Sequence, residues 1–223
     1  MTLEIKNTVV SFDLDDTLYN ELDFLKSAYK SIAVKLAKDD WRPLYVQMLS
    51  LYRNKEDAFS FLSESYQIDK NYLLNEYRTH VPNLKPFDHL ISFLKKIKKM
   101  GGKIAIITDG REITQKNKIN SLGINKYLDL IVISEVIGTE KPNENNYKII
   151  ESTFPNHEYI YIADNYKKDF ITPNNRKWIT VSLMDNGLNI HNNFFLFSSN
   201  KKHHPSCFIN SYDEITLIDD CFL

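Results

Sequence analysis

Residues 9–17 read VVSFDLDDT, and this stretch does most to decide the fold, because a short apolar run ends abruptly in acids. Such a run is typical of a buried parallel strand whose carboxyl end carries the chemistry. Side chains two positions apart lie on one side of an extended chain, so Asp13 and Asp15 are predicted to face one small volume. Two carboxylates so placed repel each other unless a cation or a proton joins them, and Mg²⁺ prefers carboxylate and phosphate oxygen. The stretch therefore predicts a magnesium site, with Asp16 interpreted as a solvated acid or helix N-cap and Thr17 as a turn hydroxyl.

Further short apolar runs recur along the chain and are separated by helical stretches. They lie at residues 104–107, 130–133, 159–162 and 178–181, with a weaker run at 207–209. Strands that alternate with helices predict a parallel sheet covered on both faces, and therefore an α/β, doubly wound fold. Gly101 and Gly123 stand where the helices before and after the second strand should end.

The interval from about residue 20 to residue 84 has a different character. It contains no convincing strand but four amphipathic segments, at residues 22–37, 44–52, 57–66 and 72–77. An insertion of this length is too long for a loop, so it predicts a helical domain over 20–84, with the core formed by 1–19 and 85–223. Because it leaves the sheet directly after the acids, it is expected to act as a lid that excludes water and selects substrate.

The composition excludes several classes of protein. The 223 residues suffice for one full core plus a small accessory domain. A formal charge of −1 gives no general attraction to nucleic acid or an anionic membrane, and no run approaches the roughly 18 apolar residues of a membrane span. The lysine-rich stretch 90–100 is interpreted as an amphipathic helix with a solvated face.

The N-terminus lacks the charged start and apolar centre of a signal peptide, so a cytoplasmic location is expected. Cys207 and Cys221 show neither a metal-ligand spacing nor a disulfide framework and are expected to be free thiols. The three histidines of the polar stretch 186–206 are interpreted as loop residues rather than metal ligands, because no acid or cysteine stands near them at metal-site spacing. This stretch receives no functional role, and the oligomeric state is left open.

Polar residues follow the later strands, at the edge where open parallel sheets bind ligands. Thr108-Asp109-Gly110 follows the second strand, where a hydroxyl, backbone amides and a close backbone approach at the glycine suit a phosphate oxygen. Taken alone, Thr108 fits a strand-end or capping residue as well. Lys141 precedes Pro142, which is expected to open a helix through residue 150, and a lysine at a helix N-terminus would make an anion site.

The fourth strand adds two more acids, Asp164 and Asp169. Paired Asp, then Thr, then Lys, then Asp and Asp, each after an apolar strand, strongly resembles the haloacid dehalogenase-like (HAD) superfamily of phosphohydrolases. The motif FDLDDTL at residues 12–18 is the most specific part, and the resemblance covers nearly the whole chain, from residue 9 to about residue 214. It implies a Rossmann-like core, and the position of the insertion resembles relatives with a small helical (C1-type) cap.

The resemblance also implies a role for each residue of the site. Asp13 would be the nucleophile that takes the phosphoryl group as an aspartyl-phosphate, and Asp15 the general acid and base. Crowding by other acids is expected to raise the pKa of Asp15 so that it can hold a proton. Magnesium would contact Asp13, the backbone carbonyl of Asp15, and Asp164, with Asp169 orienting that shell. The transferring phosphoryl and the substrate would be held by Thr108, Asp109, Gly110 and Lys141.

The match is imperfect in three places. Ala163 stands where the family usually has Gly, and the added methyl is small. Lys168 precedes Asp169 where many relatives carry Asn or an acid, and it is expected to point to solvent. Arg111 follows a segment that departs from the family's Asn-Gly, and it suits either a substrate contact or a surface position at the start of a helix.

The leading hypothesis is a Mg²⁺-dependent phosphatase that hydrolyses a small phosphomonoester, of the sugar phosphate or nucleotide type. Its partner would be a small phosphorylated metabolite, with no nucleic acid and no membrane. A phosphomutase or phosphotransferase of the same superfamily would share every motif, and a non-catalytic domain that binds phosphometabolites is a further alternative. A dehalogenase is disfavoured, because a halide leaving group does not need the proton of Asp15. Tyr19, Asn20 and Glu21, at the lid hinge, are the first candidates for substrate discrimination.

Overall fold

Six parallel strands form the central sheet of the computed structural model, which describes residues 1–191 and 194–219. The strands of the described chain are β1 (Thr2–Glu4), β2 (Thr8–Phe12), β3 (Lys103–Thr108), β4 (Leu130–Ile133), β5 (Glu158–Ala163), β6 (Ile179–Leu183), β7 (Cys207–Ile209) and β8 (Thr216–Ile218). The order in the sheet is β4-β3-β2-β5-β6-β7. Strand β2 lies at the point where the order reverses, which is where such sheets bind ligands. The predicted fold class is confirmed, and every predicted strand is present.

Strands β1 and β8 pair in parallel as a separate two-stranded sheet, which the sequence did not predict. Each strand has only three residues. Their hydrogen bonds join segments more than 200 positions apart, as in the pair Thr2 and Thr216. Neither an apolar run nor a local turn signal marks such a pairing.

The described part of the chain contains ten α-helices. They are α1 (Glu21–Ala37), α2 (Trp41–Arg53), α3 (Ala58–Tyr66), α4 (Lys70–Arg78), α5 (Leu90–Lys99), α6 (Glu112–Ser121), α7 (Ser134–Ile137), α8 (Asn145–Thr153), α9 (Ile171–Asn175) and α10 (Phe194–Phe197). The predicted ends of the helices before and after β3 are confirmed. Gly101 and Gly123 lie just beyond α5 and α6, with φ of 80° and 66°. These values belong to the left-handed region that glycine adopts at little cost.

Both faces of the sheet are covered, as the alternation of side chains along the strands requires. Val10 and Phe12 of β2 belong to one buried cluster, whereas Val9 belongs to a second cluster. Successive residues of a strand point to opposite faces, so the two clusters lie on the two sides of the sheet. In α5, the apolar side is buried against the first cluster, while the lysines lie on the exposed or half-buried side, as predicted.

Helices α1 to α4 pack around an apolar cluster of their own. Its buried members are Leu25, Tyr29, Ile32, Ala33, Leu44, Met48, Ala58, Leu62 and Leu73. Helix α2 begins at Trp41, three residues earlier than predicted, because Pro43 falls in its first turn, where no intrahelical N–H is needed. These contacts support the proposal that residues 20–84 form a separate cap, whose boundaries stay a prediction.

The segment around Lys141 differs from the prediction. Helix α8 begins at Asn145, not at Pro142, so Lys141 lies in a turn ahead of the helix. The amide of Asn143 donates to the carbonyl of Glu140 at 2.9 Å, and its side chain accepts from the amide of Asn145 at 2.9 Å. Asn143 thus closes the turn and leads into the helix, which is why the proline does not open it.

No helix in residues 1–191 or 194–219 is long and apolar enough to cross a membrane. Cys207 is a half-buried free thiol, whereas Cys221 lies outside the described residues.

Candidate active site

A buried lysine joins two of the predicted acids at the centre of the sheet edge. Lys141 Nζ lies 2.5 Å from Asp13 Oδ1 and 2.8 Å from Asp169 Oδ1, and its side chain has no solvent exposure. The Tyr161 hydroxyl lies 3.1 Å from the same nitrogen. Asp13 directly follows β2, Tyr161 lies within β5, Asp169 lies six residues beyond β5, and Lys141 lies in the turn before α8. The structure therefore gathers side chains that lie up to 156 positions apart in the sequence.

Asp13, Asp164 and Asp169 form a compact carboxylate cluster, with ligand oxygens within 4.8 Å of one another. The oxygens of Asp169 are engaged, one by Lys141 and the other by the Asn165 amide at 3.0 Å. Among the described residues, Asp164 accepts hydrogen bonds only from neutral groups. These are the Thr17 hydroxyl at 3.4 Å and the side-chain amide nitrogen of Asn189 at 3.1 Å.

The cluster carries more negative charge than its one lysine balances. Burial raises the pKa of Asp13 to about 7, against the pull of Lys141. Burial, together with Asp13 and Asp169, raises the pKa of Asp164 well above its usual range. A divalent cation beside these oxygens would favour the ionised forms. An all-oxygen donor set is also the kind that Mg²⁺ prefers, so the residues present fit that ion.

Thr108 and Asp109 lie at the end of β3, beside the cluster. Thr108 is buried and lines the same cavity. The carboxylate of Asp109 accepts from the Lys141 amide at 3.0 Å and pairs with Lys168 Nζ at 2.6 Å. The expectation that Lys168 points to solvent is therefore wrong. Its ammonium lines the cavity, because Asp109, 59 positions earlier in the chain, supplies a partly buried counter-charge.

Gly110 has a structural reason to be glycine. Its φ is 123°, and a Cβ there would lie 2.7 Å from the side-chain nitrogen of Gln115. Its amide donates to Ser134 Oγ at 2.8 Å. The substrate contact expected of Gly110 stays a prediction. Arg111 pairs with Glu135 at 3.4 Å on the exposed surface, which agrees with the surface interpretation.

Asp15 is held by an ion pair that the sequence did not predict. Lys118 Nζ lies 2.7 Å from one carboxylate oxygen and 2.9 Å from the other. The Tyr19 hydroxyl donates to the same carboxylate, and Gln115 Nε2 lies 3.5 Å away. Burial acts to raise the pKa of Asp15, but Lys118 and these hydrogen bonds outweigh it and the pKa lies below its usual value. The expected upward shift is therefore wrong, because the prediction counted only the neighbouring acids.

Asp16 ties the acidic loop to two other segments. It is buried, and its oxygens accept from the amides of Glu21 and Ile190, both at 2.7 Å. The first contact satisfies the leading amide of α1. The N-cap of that helix is Asn20, and Asp16 is buried four residues before it, so the interpretation of Asp16 as a solvated acid or helix N-cap is wrong. The second brings the segment after β6 to the site, where Asn189 reaches Asp164 and His191 lines the cavity. No sequence signal marks this polar loop as part of the site.

The space enclosed by these groups is small, about 100 Å³. Burial and the charge of Asp15 raise the pKa of Glu21 to about 8. Tyr19 is fully buried, so among the hinge candidates Glu21 alone faces the cavity. The cavity is lined by Asp13, Asp15, Glu21, Thr108, Asp109, Asp164, Asn165, Lys168 and His191.

The fold is a parallel α/β sheet with carboxylates and a buried lysine gathered at its switch point. The family model of haloacid dehalogenase-like hydrolases matches residues 10–181, and the chain belongs to this family. The predicted family and the predicted enzyme class, an HAD-type phosphohydrolase, are confirmed.

The chain is similar to proteins with phosphatase names. It is 29% identical to glyceraldehyde 3-phosphate phosphatase of Methanocaldococcus jannaschii over 192 residues, 78% of this chain and 84% of that protein. It is 24% identical to pyrimidine 5'-nucleotidase YjjG of Escherichia coli over 179 residues, 73% of this chain and 79% of the relative. Among solved structures, a putative beta-phosphoglucomutase from Thermotoga maritima superimposes with a TM-score of 0.66 at 15% identity, covering 91% of this chain and 94% of that one. The last likeness concerns the fold alone.

Proposed function

We propose that this protein is a Mg²⁺-dependent phosphatase that hydrolyses a small phosphomonoester through an aspartyl-phosphate on Asp13. The observation that carries the proposal is the place of Asp13, a buried carboxylate at the end of β2 that shares Lys141 with Asp169. An Asp13 oxygen attacks phosphorus while the bond to the leaving oxygen breaks. The anionic phosphate beside Asp15 favours the protonated form of that carboxyl, which then gives the leaving oxygen its proton. Asp15 then takes a proton from water, whose oxygen attacks phosphorus, releases inorganic phosphate and restores Asp13.

Each nearby group is assigned a task from its contacts. Lys141 donates a hydrogen bond to the attacking carboxylate of Asp13. Its positive charge therefore reduces the repulsion between that carboxylate and an approaching phosphate. The Thr108 hydroxyl, at the edge of the cavity, is placed to donate to a phosphoryl oxygen. Mg²⁺ held by Asp13, Asp164 and the backbone carbonyl of Asp15 would neutralise charge on the transferring group. Asp169 orients this shell, because both of its oxygens are engaged within the protein.

The substrate is a small diffusible phosphate ester of the sugar phosphate or nucleotide type. A cavity of about 100 Å³ beside the cap helix α1 has room for a phosphoryl group and few further atoms. Glu21 and His191, together with Asn165 and Lys168, form the part of its wall that has no assigned task in phosphoryl transfer. The names of the relatives, a triose phosphate phosphatase and a nucleotidase, agree with a small substrate. A cytoplasmic location and the absence of nucleic acid as a partner remain predictions.

The direct test is phosphate release from a panel of phosphorylated metabolites. We expect turnover of at least one small phosphomonoester with Mg²⁺, and loss of that turnover when a chelator is added, because the carboxylate cluster then lacks its counter-charge. Re-addition of Mg²⁺ should restore it. A phosphomutase would convert substrate without net release of phosphate. A non-catalytic binder would raise its melting temperature with a metabolite and release none, and either result would reject the proposal.

Asp15→Asn is expected to slow phosphate release in a way that depends on the leaving group. Asparagine keeps the shape but cannot donate the proton, so the loss should be about 10²- to 10⁴-fold for alkyl phosphates. It should be much smaller for aryl phosphates, whose leaving oxygens depart as stable anions. The measurement is kcat/KM for a series of esters with graded leaving groups, because this ratio reports the step in which the leaving group departs. Equal losses across the series would remove Asp15 from the acid role.

A further inference from the structure

A second buried lysine, Lys118, lies in the site but has no part in the mechanism above. It is on α6, and its side chain is 3% exposed. Its ammonium contacts both oxygens of Asp15, at 2.7 and 2.9 Å. Burying an ammonium is unfavourable unless a well-placed partner compensates. Among the described residues, the ion pair it makes is with the proposed acid and base of the reaction.

The ion pair also spans two parts of the molecule. Lys118 Nζ lies 4.6 Å from the centre of the Phe24 ring, which belongs to the cap helix α1. A cation over an aromatic face is attracted to it, and more strongly where water is excluded. The ammonium is therefore held between the core carboxylate and a buried ring of the cap.

Position matters for Asp15, because a proton is transferred only when donor and acceptor are within hydrogen-bond reach. A lone carboxylate can rotate about its side-chain bonds, and a misplacement of about 1 Å can cost about 10²-fold in rate. Contacts to both oxygens fix the plane of the carboxylate, and the Tyr19 hydroxyl adds a donor on one oxygen.

We propose that Lys118 is a positioning residue that fixes the orientation of the Asp15 carboxylate and ties that orientation to the cap through Phe24. The inference rests on the proposed function, since it concerns the step in which Asp15 protonates the leaving oxygen. Lys118 does not itself line the cavity, so it acts through Asp15 and not on the substrate.

The test compares Lys118→Met with Lys118→Arg. Methionine keeps the length of the chain but removes the ammonium, and we expect kcat for alkyl phosphates to fall about 10- to 100-fold with KM changed less than about 3-fold. With p-nitrophenyl phosphate, the loss in kcat/KM should be less than about 3-fold, because its leaving group needs little proton transfer. Arginine keeps donors for both oxygens and should recover part of the alkyl-phosphate activity.

Lys116→Met is the matched control. Lys116 lies on the same helix, is exposed and pairs with Glu112 at 2.5 Å, so its loss should leave all rates unchanged. Thermal unfolding checks that each variant is folded. If Lys118→Met does not fold, Lys118→Gln takes its place, because glutamine also removes the charge, and an alkyl-to-aryl rate ratio equal to that of the wild type in the folded Lys118→Gln overturns the inference.

Three results would overturn it: wild-type rates in Lys118→Met, equal loss for alkyl and aryl esters, or a change confined to KM. Asp15→Asn in the same series separates this outcome from a failure of the proposed function. Leaving-group dependence in Asp15→Asn without it in Lys118→Met rejects the positioning role alone. A wild-type protein that releases no phosphate rejects both.

Discussion

Asp13→Asn lowers kcat for phosphate release at least several hundredfold, in our expectation, with the substrate that the wild type turns over best. An amide is a far weaker nucleophile than a carboxylate, so the aspartyl-phosphate cannot form. Direct attack by water on the substrate has a higher barrier than either step of the covalent path. The change is nearly isosteric, and it leaves the contact between Lys141 and Asp169 in place. Released phosphate measures the effect.

Trapping adds a second measurement for this variant. Acid quenching of the wild type during turnover of a ³²P-labelled substrate should leave label on the protein, and Asp13→Asn should carry none. Asp23→Asn is the matched control, because Asp23 is an exposed acid in the first turn of α1. Its activity should equal that of the wild type. Equal activity in Asp13→Asn and the wild type would exclude Asp13 as the nucleophile.

Lys141→Met is expected to lower both stability and activity. The lysine is fully buried between Asp13 and Asp169, so methionine would leave two buried carboxylates without a counter-charge. Removing one partner of a buried pair costs about 3–5 kcal/mol, or roughly 6–20 °C in melting temperature for a chain of this size. Phosphate release by the folded variant should fall to background, because the Asp13 carboxylate and the substrate phosphate are both negative and the lysine that reduces their repulsion is gone.

A double variant separates the two effects of Lys141. Lys141→Met combined with Asp169→Asn removes one of the two buried carboxylates that the single variant leaves without a cation. We therefore expect the melting temperature to rise part of the way back to that of the wild type, while activity stays absent. Lys148→Met is the control, because Lys148 lies on the exposed face of α8 and pairs with Glu144. Its loss should change the melting temperature by little. A Lys141→Met protein as stable as the wild type would show that this ion pair does not matter for the folded state.

Most of the site residues that could be predicted share one property: they stand at the end of an apolar strand. Asp13 and Asp164 follow β2 and β5 directly, Thr108 is the last residue of β3, and in a parallel sheet these ends meet at one edge. Knowledge of which runs are strands is then enough to bring them together. The same reasoning failed for β1 and β8, which are too short to show a pattern.

Lys118, Lys168 and His191 could not be predicted, because their partners are chosen by packing in space. Lys118 meets Asp15 across 103 positions of sequence, and Lys168 meets Asp109 across 59. On a helix or in a loop, such residues look like the solvated charges that surround them. Their burial, and hence the direction in which they move the pKa of a neighbour, depends on which surfaces close over them.

The sequence by itself determined the parallel sheet, the helical insertion and the carboxylates at the strand ends, because period and position along the chain specify these directly. Only the tertiary structure decided how the charges are shared. In the structure Lys141 pairs with Asp13, Lys118 pairs with Asp15, and the loop after β6 donates a hydrogen bond to Asp164. Electrostatic energies depend on distances of a few ångströms and on the exclusion of water, and both arise only when distant segments pack together.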